Sequence, residues 1–381
     1  MLLAHKIELR PTPEQEQFLF QSVGVRRFTY NALLAHFKQD GVKWNKKAAN
    51  DKLKDLKSEH LWMQEVSART SRNVIDDLDN AFNGFFKNVK AGKKPGFPKF
   101  KKKGVSDSFS IREQPKFDVS GRMLRIEKLK TKIKMRQRLR LNGTARQCTV
   151  SFSGSRWFAS ILVDCIESPW NPIDTNTRKP SVGVDIGIKS LAVLSDGTEI
   201  PASQPLKRLL KKLAKLQKRF ARQKKGSNRR AITKRKISRL HFFVAQKRKA
   251  VMHELTDYLT RNYDRIVIED LNVSGMVKNR KLARSISDVG FGEFRRQLEY
   301  KAFFRGCELV VADRFFPSSK MCSGCGVVHD MPLGNREMNC DCGTVLDRDH
   351  NAAINLMNHV PTRSSGTKST QEFSKSATAA A

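Results

Sequence analysis

Ser181-Val-Gly-Val-Asp-Ile-Gly-Ile-Lys189 is an apolar strand with an acid, Asp185, set in its middle. A second apolar run follows at 191–194 and ends in a Ser-Asp-Gly turn. Downstream, Arg265-Ile-Val-Ile-Glu-Asp-Leu271 reads as another buried strand that delivers Glu269 at its end. Asp347-Arg-Asp-His-Asn-Ala-Ala-Ile-Asn-Leu-Met357 places Asp349 at the start of a helix whose Ala and Ile residues suit close packing. One acid in a strand is usually paired with an arginine or a backbone donor. Three, on strand, strand and helix start, point to a shared site. Carboxylates brought that close repel, and a divalent cation is the natural compensator. Two Mg²⁺ ions roughly 4 Å apart would activate water and stabilise a leaving 3′ oxygen in phosphodiester cleavage. Strand alternation points Asp270 away from Glu269. Spacing alone does not exclude Asp347.

Between Glu269 and Asp349 lie Cys322-Ser-Gly-Cys325 and Cys340-Asp-Cys342, separated by 14 residues, with a glycine directly after each pair. Four thiolates on two tight turns make a closed tetrahedral Zn²⁺ site of structural type. The second pair is C-x-C, so His329 is an alternative ligand. The remaining cysteines, Cys148, Cys165 and Cys307, stand singly in apolar stretches as ordinary buried thiols. Seven cysteines, an odd number with four clustered, suit metal chemistry better than a disulfide framework.

The 381 residues suffice for two or three cores. Lys and Arg number 73 against 37 Asp and Glu, a formal charge of +36 that calls for a polyphosphate partner. A ribosomal or chromatin-packing protein can be as basic, but rarely carries isolated acids in apolar strands. Between Glu199 and Glu254 there is no acid, while Lys or Arg occurs 19 times. That stretch holds two amphipathic helices, one marked by Leu206, Leu209, Leu210, Leu213, Leu216 and Phe220. The other is marked by Ile237, Leu240, Val244, Val251, Leu255 and Tyr258, with Gly226-Ser-Asn228 between them. A merely solvated face would mix charge signs, so nucleic-acid contact is the better reading. No segment approaches the roughly 20 apolar residues of a membrane span, and no signal peptide is read at the N-terminus. The expectation is a soluble, intracellular protein with no membrane partner.

At the N-terminus, residues 6–10 alternate as a strand. Thr12-Pro-Glu-Gln15 then starts a helix through a capping box with Pro at its first position. Phe18, Leu19, Val23, Tyr30, Leu33 and Leu34 give that helix a buried stripe. A second stripe runs Val74, Leu78, Phe82, Phe85, Phe86 and Val89, stopping at Gly92. The basic loop 93–103 suits phosphate, while its Phe97 and Phe100 read better as core anchors than as base-stacking platforms. From 107 to 166 the period becomes two, with strands expected at 109–112, 123–126, 148–152 and 157–163: a small antiparallel barrel that 6–10 could join. A linker spans Pro169 to Pro180, and 361–381 has the composition of a disordered tail.

The ordered set Val184-Asp-Ile-Gly-Ile-Lys189, Ile268-Glu-Asp-Leu-Asn272, Ser318-Ser-Lys-Met-Cys-Ser-Gly-Cys-Gly326 and Cys340-Asp-Cys-Gly343 with Asp347-Arg-Asp-His-Asn-Ala-Ala353 resembles the TnpB proteins of bacterial insertion sequences, compact relatives of type V CRISPR effectors. Tyr30-Asn-Ala-Leu-Leu34 and Lys94-Pro-Gly-Phe-Pro-Lys-Phe100 are similar too, so the likeness covers residues 1 to about 358. It implies a multidomain α+β and α/β chain. The wedge β-barrel would be 1–10 with 100–175, and the helical recognition domain 11–99. An RNase H-like (RuvC) nuclease domain would be 176–316 with 346–360, interrupted by a zinc-knuckle module for target nucleic acid at 317–345. The resemblance selects Asp349 over Asp347 as third catalytic acid beside Asp185 and Glu269. It further implies an RNA-guided DNA endonuclease carrying a guide RNA from the transposon end. The protein would read a short motif beside double-stranded target DNA and hold the RNA–DNA heteroduplex and displaced strand. One site would cut both strands in turn. Two rivals stand: a transposase or integrase performing strand transfer, and a non-catalytic RNA-binding regulator.

Overall fold

The computed structural model describes residues 1–93, 95–166, 179–279, 282–332 and 334–360. Most of the expected linker and the whole 361–381 tail lie outside the described residues. Two compact units divide at Glu167 and Ser168.

The first unit opens with β1 (Leu2–Arg10), whose Ile7 and Leu9 turn inward. Next comes α1 (Pro13–His36). Its capping box is complete: the Thr12 hydroxyl accepts the Gln15 N–H at 3.4 Å, and the Gln15 side-chain Oε1 accepts the Thr12 N–H at 3.0 Å. α2 (Lys46–Glu59), a short 3₁₀ turn (Leu61–Glu65) and α3 (Ala68–Lys90) follow. Leu33, Leu34, Leu53, Val74 and Leu78 form a helical core. Only the first half of the α3 stripe is buried, since Phe86 and Val89 are each 48% exposed. Around that end of α3 the neighbour is Phe97 of the basic loop, 5.7 Å from Phe82 and 5.4 Å from Phe85 between ring centroids. Phe97 leans on that end of α3 but is still 39% exposed, and Phe100 is 46% exposed beneath the Lys38 ammonium, so neither is the core anchor that the sequence suggested.

Seven strands build the sheet of this unit: β1, then β2 (Ser108–Ile111), β3 (Phe117–Ser120), β4 (Met123–Ile126), β5 (Ile133–Met135), β6 (Gly143–Ser153) and β7 (Arg156–Cys165). Every pairing is antiparallel, in the order β2-β6-β7-β1-β5-β4-β3. The end strand β3 approaches β6, so the sheet is a nearly closed barrel. β1 enters between β7 and β5 because its alternation matches theirs, adding Ile7 and Leu9 to Phe109, Leu124 and Trp157. The short strands β3 and β5 were not expected from the sequence; at three or four residues they are too brief to show a period.

The second unit begins β8 (Ser181–Asp185), β9 (Ser190–Leu194), β10 (Glu199–Pro201). Then come the basic helices α4 (Pro205–Arg222) and α5 (Asn228–Asn262), and β11 (Arg265–Glu269). After α6 (Val273–Met276), α7 (Ala283–Val289) and α8 (Phe291–Arg305) the chain makes β12 (Glu308–Ala312), the hairpin β13 (Glu337–Asn339) and β14 (Val345–Asp347), and α9 (Arg348–Met357). The large sheet runs β10-β9-β8-β11-β12, with β8, β11 and β12 parallel and β9 and β10 antiparallel to their neighbours. Numbered from its first strand this is 3-2-1-4-5, the RNase H-like arrangement. Strand alternation divides its faces. Val182, Val184, Ile266 and Ile268 pack with Leu255 and Leu259 of α5 and with Phe294 and Leu298 of α8. Val267, Val310 and Ala312 face the other way, against Leu356 of α9. No helix among the described residues is long and apolar enough to cross a membrane.

Candidate active site and metal centre

Parity decides where the acids point. Asp185 is two residues beyond Gly183 and Glu269 two beyond Val267, so both share the α9 face. They stand one step past the last paired residues, Val184 and Ile268, where the two strands end side by side. α9 lies across β8 and brings Asp349 in its first turn. Burial, then the charges of Glu269 and Asp349, push the Asp185 carboxyl up to about 8; Arg348 opposes this, and Asp347 adds a smaller repulsion. Asp185, Glu269 and Asp349 therefore form one electrostatic unit, in which concentrated negative charge is costly and a divalent cation would relieve it.

The neighbouring acids have other occupations. Asp270, on the opposite face, is held by Arg295 at 2.6 Å and Arg314 at 2.5 Å. Asp347 is the N-cap of α9: its Oδ1 accepts the N–H of Asp349 at 2.9 Å and of His350 at 3.3 Å. Both Asp347 and Asp349 line a polar cavity of about 170 Å³ with Lys189, Glu199 and His350.

Residues that the sequence reading passed over complete the site. The Ser318 hydroxyl donates to Glu269 Oε1. Buried Arg348 donates to the carbonyls of Pro332 and Asn335. Asn351 and Asn355, i and i+4 on α9, are buried beside Ala352, Ala353 and Leu356 and hydrogen-bonded to the segment from Ser318 into the first cysteine turn. Two asparagines on a face made for packing were the signal available in the sequence.

The cysteines converge. All four Sγ atoms of Cys322, Cys325, Cys340 and Cys342 lie within 4.8 Å of one another. Cys322 is 3.6 Å from Cys342 and Cys325 is 3.5 Å from Cys340, close to the roughly 3.8 Å edge of a tetrahedron with 2.3 Å metal–sulfur bonds. Gly326 and Gly343 after each pair have φ of +79° and +89°, which a side chain would strain. His329 Nε2 sits 3.2 Å from Cys340 Sγ and Thr344 Oγ1 3.1 Å from Cys342 Sγ. Four sulfurs complete a tetrahedral set, and His329 is placed beside it as a hydrogen-bond partner. Among the described residues this is the one group of three or more such ligands that converges so tightly. The three carboxylates share a field without closing to that degree. Cys148, Cys165 and Cys307 are buried thiols away from this group, and burial pushes Cys148 up to about 12.

One buried acid ties the two basic helices to α7. Asp288 of α7, buried, accepts the backbone N–H groups of Leu206 and Lys207 at the start of α4 and the guanidinium of Arg248 on α5. The apolar stripe of α4 is half-buried, with Leu213 its most enclosed member, and its lysines project outward.

An RNase H-like sheet with acids gathered on one face, and a four-thiol knuckle ahead of the last helix, defines the fold of a RuvC-type nuclease. Residues 162–280 match the family described as "Probable transposase" (OrfB of IS605), 291–356 match "Cas12f1-like, TNB domain", and 1–40 match "Helix-turn-helix domain". In the structure 1–40 is β1 and one unbroken helix, α1. A Streptomyces pristinaespiralis protein named "Putative RNA-guided DNA endonuclease" is 35% identical, over 93% of this chain and 88% of its own. "Putative RNA-guided DNA endonuclease InsQ" of Escherichia coli K12 is 31% identical, over 93% and 92% respectively. The Cas12f1 chain of a cryo-EM complex with sgRNA and target DNA shares the fold, with TM-score 0.57 at 15% identity over 91% of this chain and 83% of that one. The chain belongs to the OrfB/TnpB family of IS605-type insertion sequences.

Proposed function

We propose that this chain is an RNA-guided DNA endonuclease that cuts target DNA at a single site made by Asp185, Glu269 and Asp349. The observation that carries the reading is the common face: two strand ends and one helix start bring three acids into one field strong enough to hold Asp185 up to about 8. The names borne by relatives that match 93% of the chain support the guided activity.

The three carboxylates would hold two Mg²⁺ ions, which when bound supply Lewis-acid stabilisation of charge at the phosphodiester and a more acidic water. The chain's own groups prepare that site. Ser318 orients the Glu269 carboxylate, Arg348 moderates the repulsion on Asp185, and Asp347 holds the first turn of α9. The four cysteines would hold one structural Zn²⁺ with no open position. The acid-free surface of α4 and α5 would grip an RNA–DNA heteroduplex by its backbone, the guide coming from the transposon end and base pairing supplying specificity. In domain terms, 1–10 with 100–175 act as the wedge and 11–99 as the recognition domain. Residues 176–316 with 346–360 form the nuclease domain, and 317–345 the target-binding module. The work would be done in the cytoplasm, on nucleoid DNA.

The test is to express the chain with its native flanking DNA, sequence the RNA that copurifies, and assay a matching target with Mg²⁺. A discrete RNA is expected, with cutting abolished and binding retained in Asp185→Ala, Glu269→Ala and Asp349→Ala. Cutting by the Asp185→Ala protein would overturn the carboxylate assignment, whereas heterogeneous or absent RNA would favour strand transfer at the same carboxylates.

A further inference from the structure

The cysteine knuckle and the carboxylate site are joined by a short chain of hydrogen bonds, one buried and the rest partly buried. Ser318 stands at its centre, 3% exposed: its hydroxyl donates to Glu269, and its carbonyl accepts Asn355 Nδ2 of α9 at 2.8 Å. Asn355 Nδ2 also reaches the Met321 carbonyl at 2.6 Å, and Asn351 Nδ2 reaches the same oxygen at 2.7 Å. The Asn351 side-chain Oδ1 accepts the N–H of Ser323, which lies between Cys322 and Cys325, at 2.9 Å. From the other side, the Cys340 and Cys342 turn joins β13 to β14, and β14 ends at Asp347, the cap of the helix that carries Asp349.

We propose that Ser318, Asn351 and Asn355 are positioning residues that transmit the geometry of the four-cysteine knuckle to Glu269 and Asp349. The knuckle thereby sets the affinity of the carboxylate site for divalent cations. This rests on the catalytic reading of the carboxylates given above. The physical basis is that a buried carbonyl or amide left without its partner is costly, so each bond admits few arrangements. Asn351 and Asn355 bind the first cysteine turn to one side of α9, the helix that carries Asp349 in its first turn, so that turn and Asp349 are fixed to one rigid element. Ser318 then relays the same register to the end of β11. Partners one shell out from a metal site typically govern its affinity by tenfold or more.

The experiment uses the full chain purified with its guide RNA. Ser318→Ala, Ser318→Thr, Asn351→Ala and Asn355→Ala are compared with wild type and Asp185→Ala. Four readouts are taken: Mn²⁺ binding by electron paramagnetic resonance, zinc content, guide RNA binding, and the Mg²⁺ concentration giving half-maximal cutting. Ser318→Ala, Asn351→Ala and Asn355→Ala are expected to keep zinc and RNA while Mn²⁺ binding weakens about tenfold. The Mg²⁺ midpoint should rise in parallel, with cutting recovered at saturating Mg²⁺ and with Ser318→Thr restoring both values. Unchanged Mn²⁺ affinity in all three, with Asp185→Ala inactive, would overturn the coupling alone. Normal cutting by Asp185→Ala would overturn the catalytic reading beneath it. If either asparagine variant loses RNA binding and fails to fold, Ser318→Ala decides the matter, since it removes only one hydroxyl.

Discussion

Gly183 of β8 and Ala353 of α9 meet backbone to backbone: a Cβ on Gly183 would overlap the Ala353 carbonyl oxygen and crowd the Met357 N–H. Two residues along the same strand is Asp185, and four residues back along the same helix is Asp349. The absence of one methyl group therefore sets how deeply the helix with the third acid sinks towards the strand with the first.

Gly183→Ala is accordingly expected to lift α9. Overpacking of this kind costs about 1–3 kcal/mol, read as a lower denaturant midpoint, and cutting should fall more than stability does. A variant as stable and active as wild type would mean that α9 shifts without cost.

At the cysteine site, replacing Cys325 or Cys342 by serine should abolish stoichiometric zinc, because each supplies one of four sulfurs. His329→Ala should retain one zinc per chain but lose affinity by about tenfold, the usual effect of removing a partner beside a ligand. Competition with a chromophoric chelator measures both. Equal loss in His329→Ala and Cys325→Ser would make His329 a ligand in its own right.

The hairpin α4–α5 should bind RNA through phosphates. Neutralising exposed Lys211, Lys212 and Lys215 to glutamine is expected to weaken guide binding and to flatten its salt dependence by about 0.7–0.9 log units per lost contact. An unchanged slope would remove α4 from the RNA surface.

Lys301 of α8 supplies a pH signature. It is 4% exposed and donates to the His253 carbonyl and Thr256 hydroxyl at 2.8 Å each. Burial lowers its ammonium to about 8, against a partial lift from Asp257. Folding thus disfavours the charged form: below about pH 8 the full penalty applies, and it disappears as pH rises towards the ordinary lysine value near 10.5. Wild-type stability is expected to gain relative to Lys301→Met across that window, measured as the difference between their urea midpoints at pH 7.5 and pH 10. A constant difference would contradict the burial argument.

Much of the architecture was legible along the chain. The Thr12 capping box, the strand holding Asp185, the two basic helices and the cysteine turns each rest on neighbours within a few residues, where periodicity and turn chemistry operate. The displacement of Asp270 followed from alternation, and the structure gives it Arg295 and Arg314 as partners. Strands β3 and β5 escaped for lack of length. The second half of the α3 stripe was misread because an apolar period marks a face without saying how far its cover extends.

Spacing could not separate Asp347 from Asp349, which are two residues apart at a strand–helix junction. The tertiary structure gives Asp347 the cap of α9 and sets the stronger of the two repulsions on Asp185 at Asp349. The roles of Gly183, Ser318 and Asp288 were likewise invisible, and Asn351 and Asn355 were marked only as polar residues on a packing face, because each depends on a partner brought from elsewhere in the chain. By itself the sequence determined which elements exist, which side chains can ligate a metal and where positive charge collects, since those follow from local pattern and residue chemistry. Only the tertiary structure decided which acids share a field and what holds them there. Electrostatic coupling and buried hydrogen bonds depend on distances through space, and residues 181–185, 265–269 and 348–357 acquire those distances only when the sheet pairs and α9 packs across it.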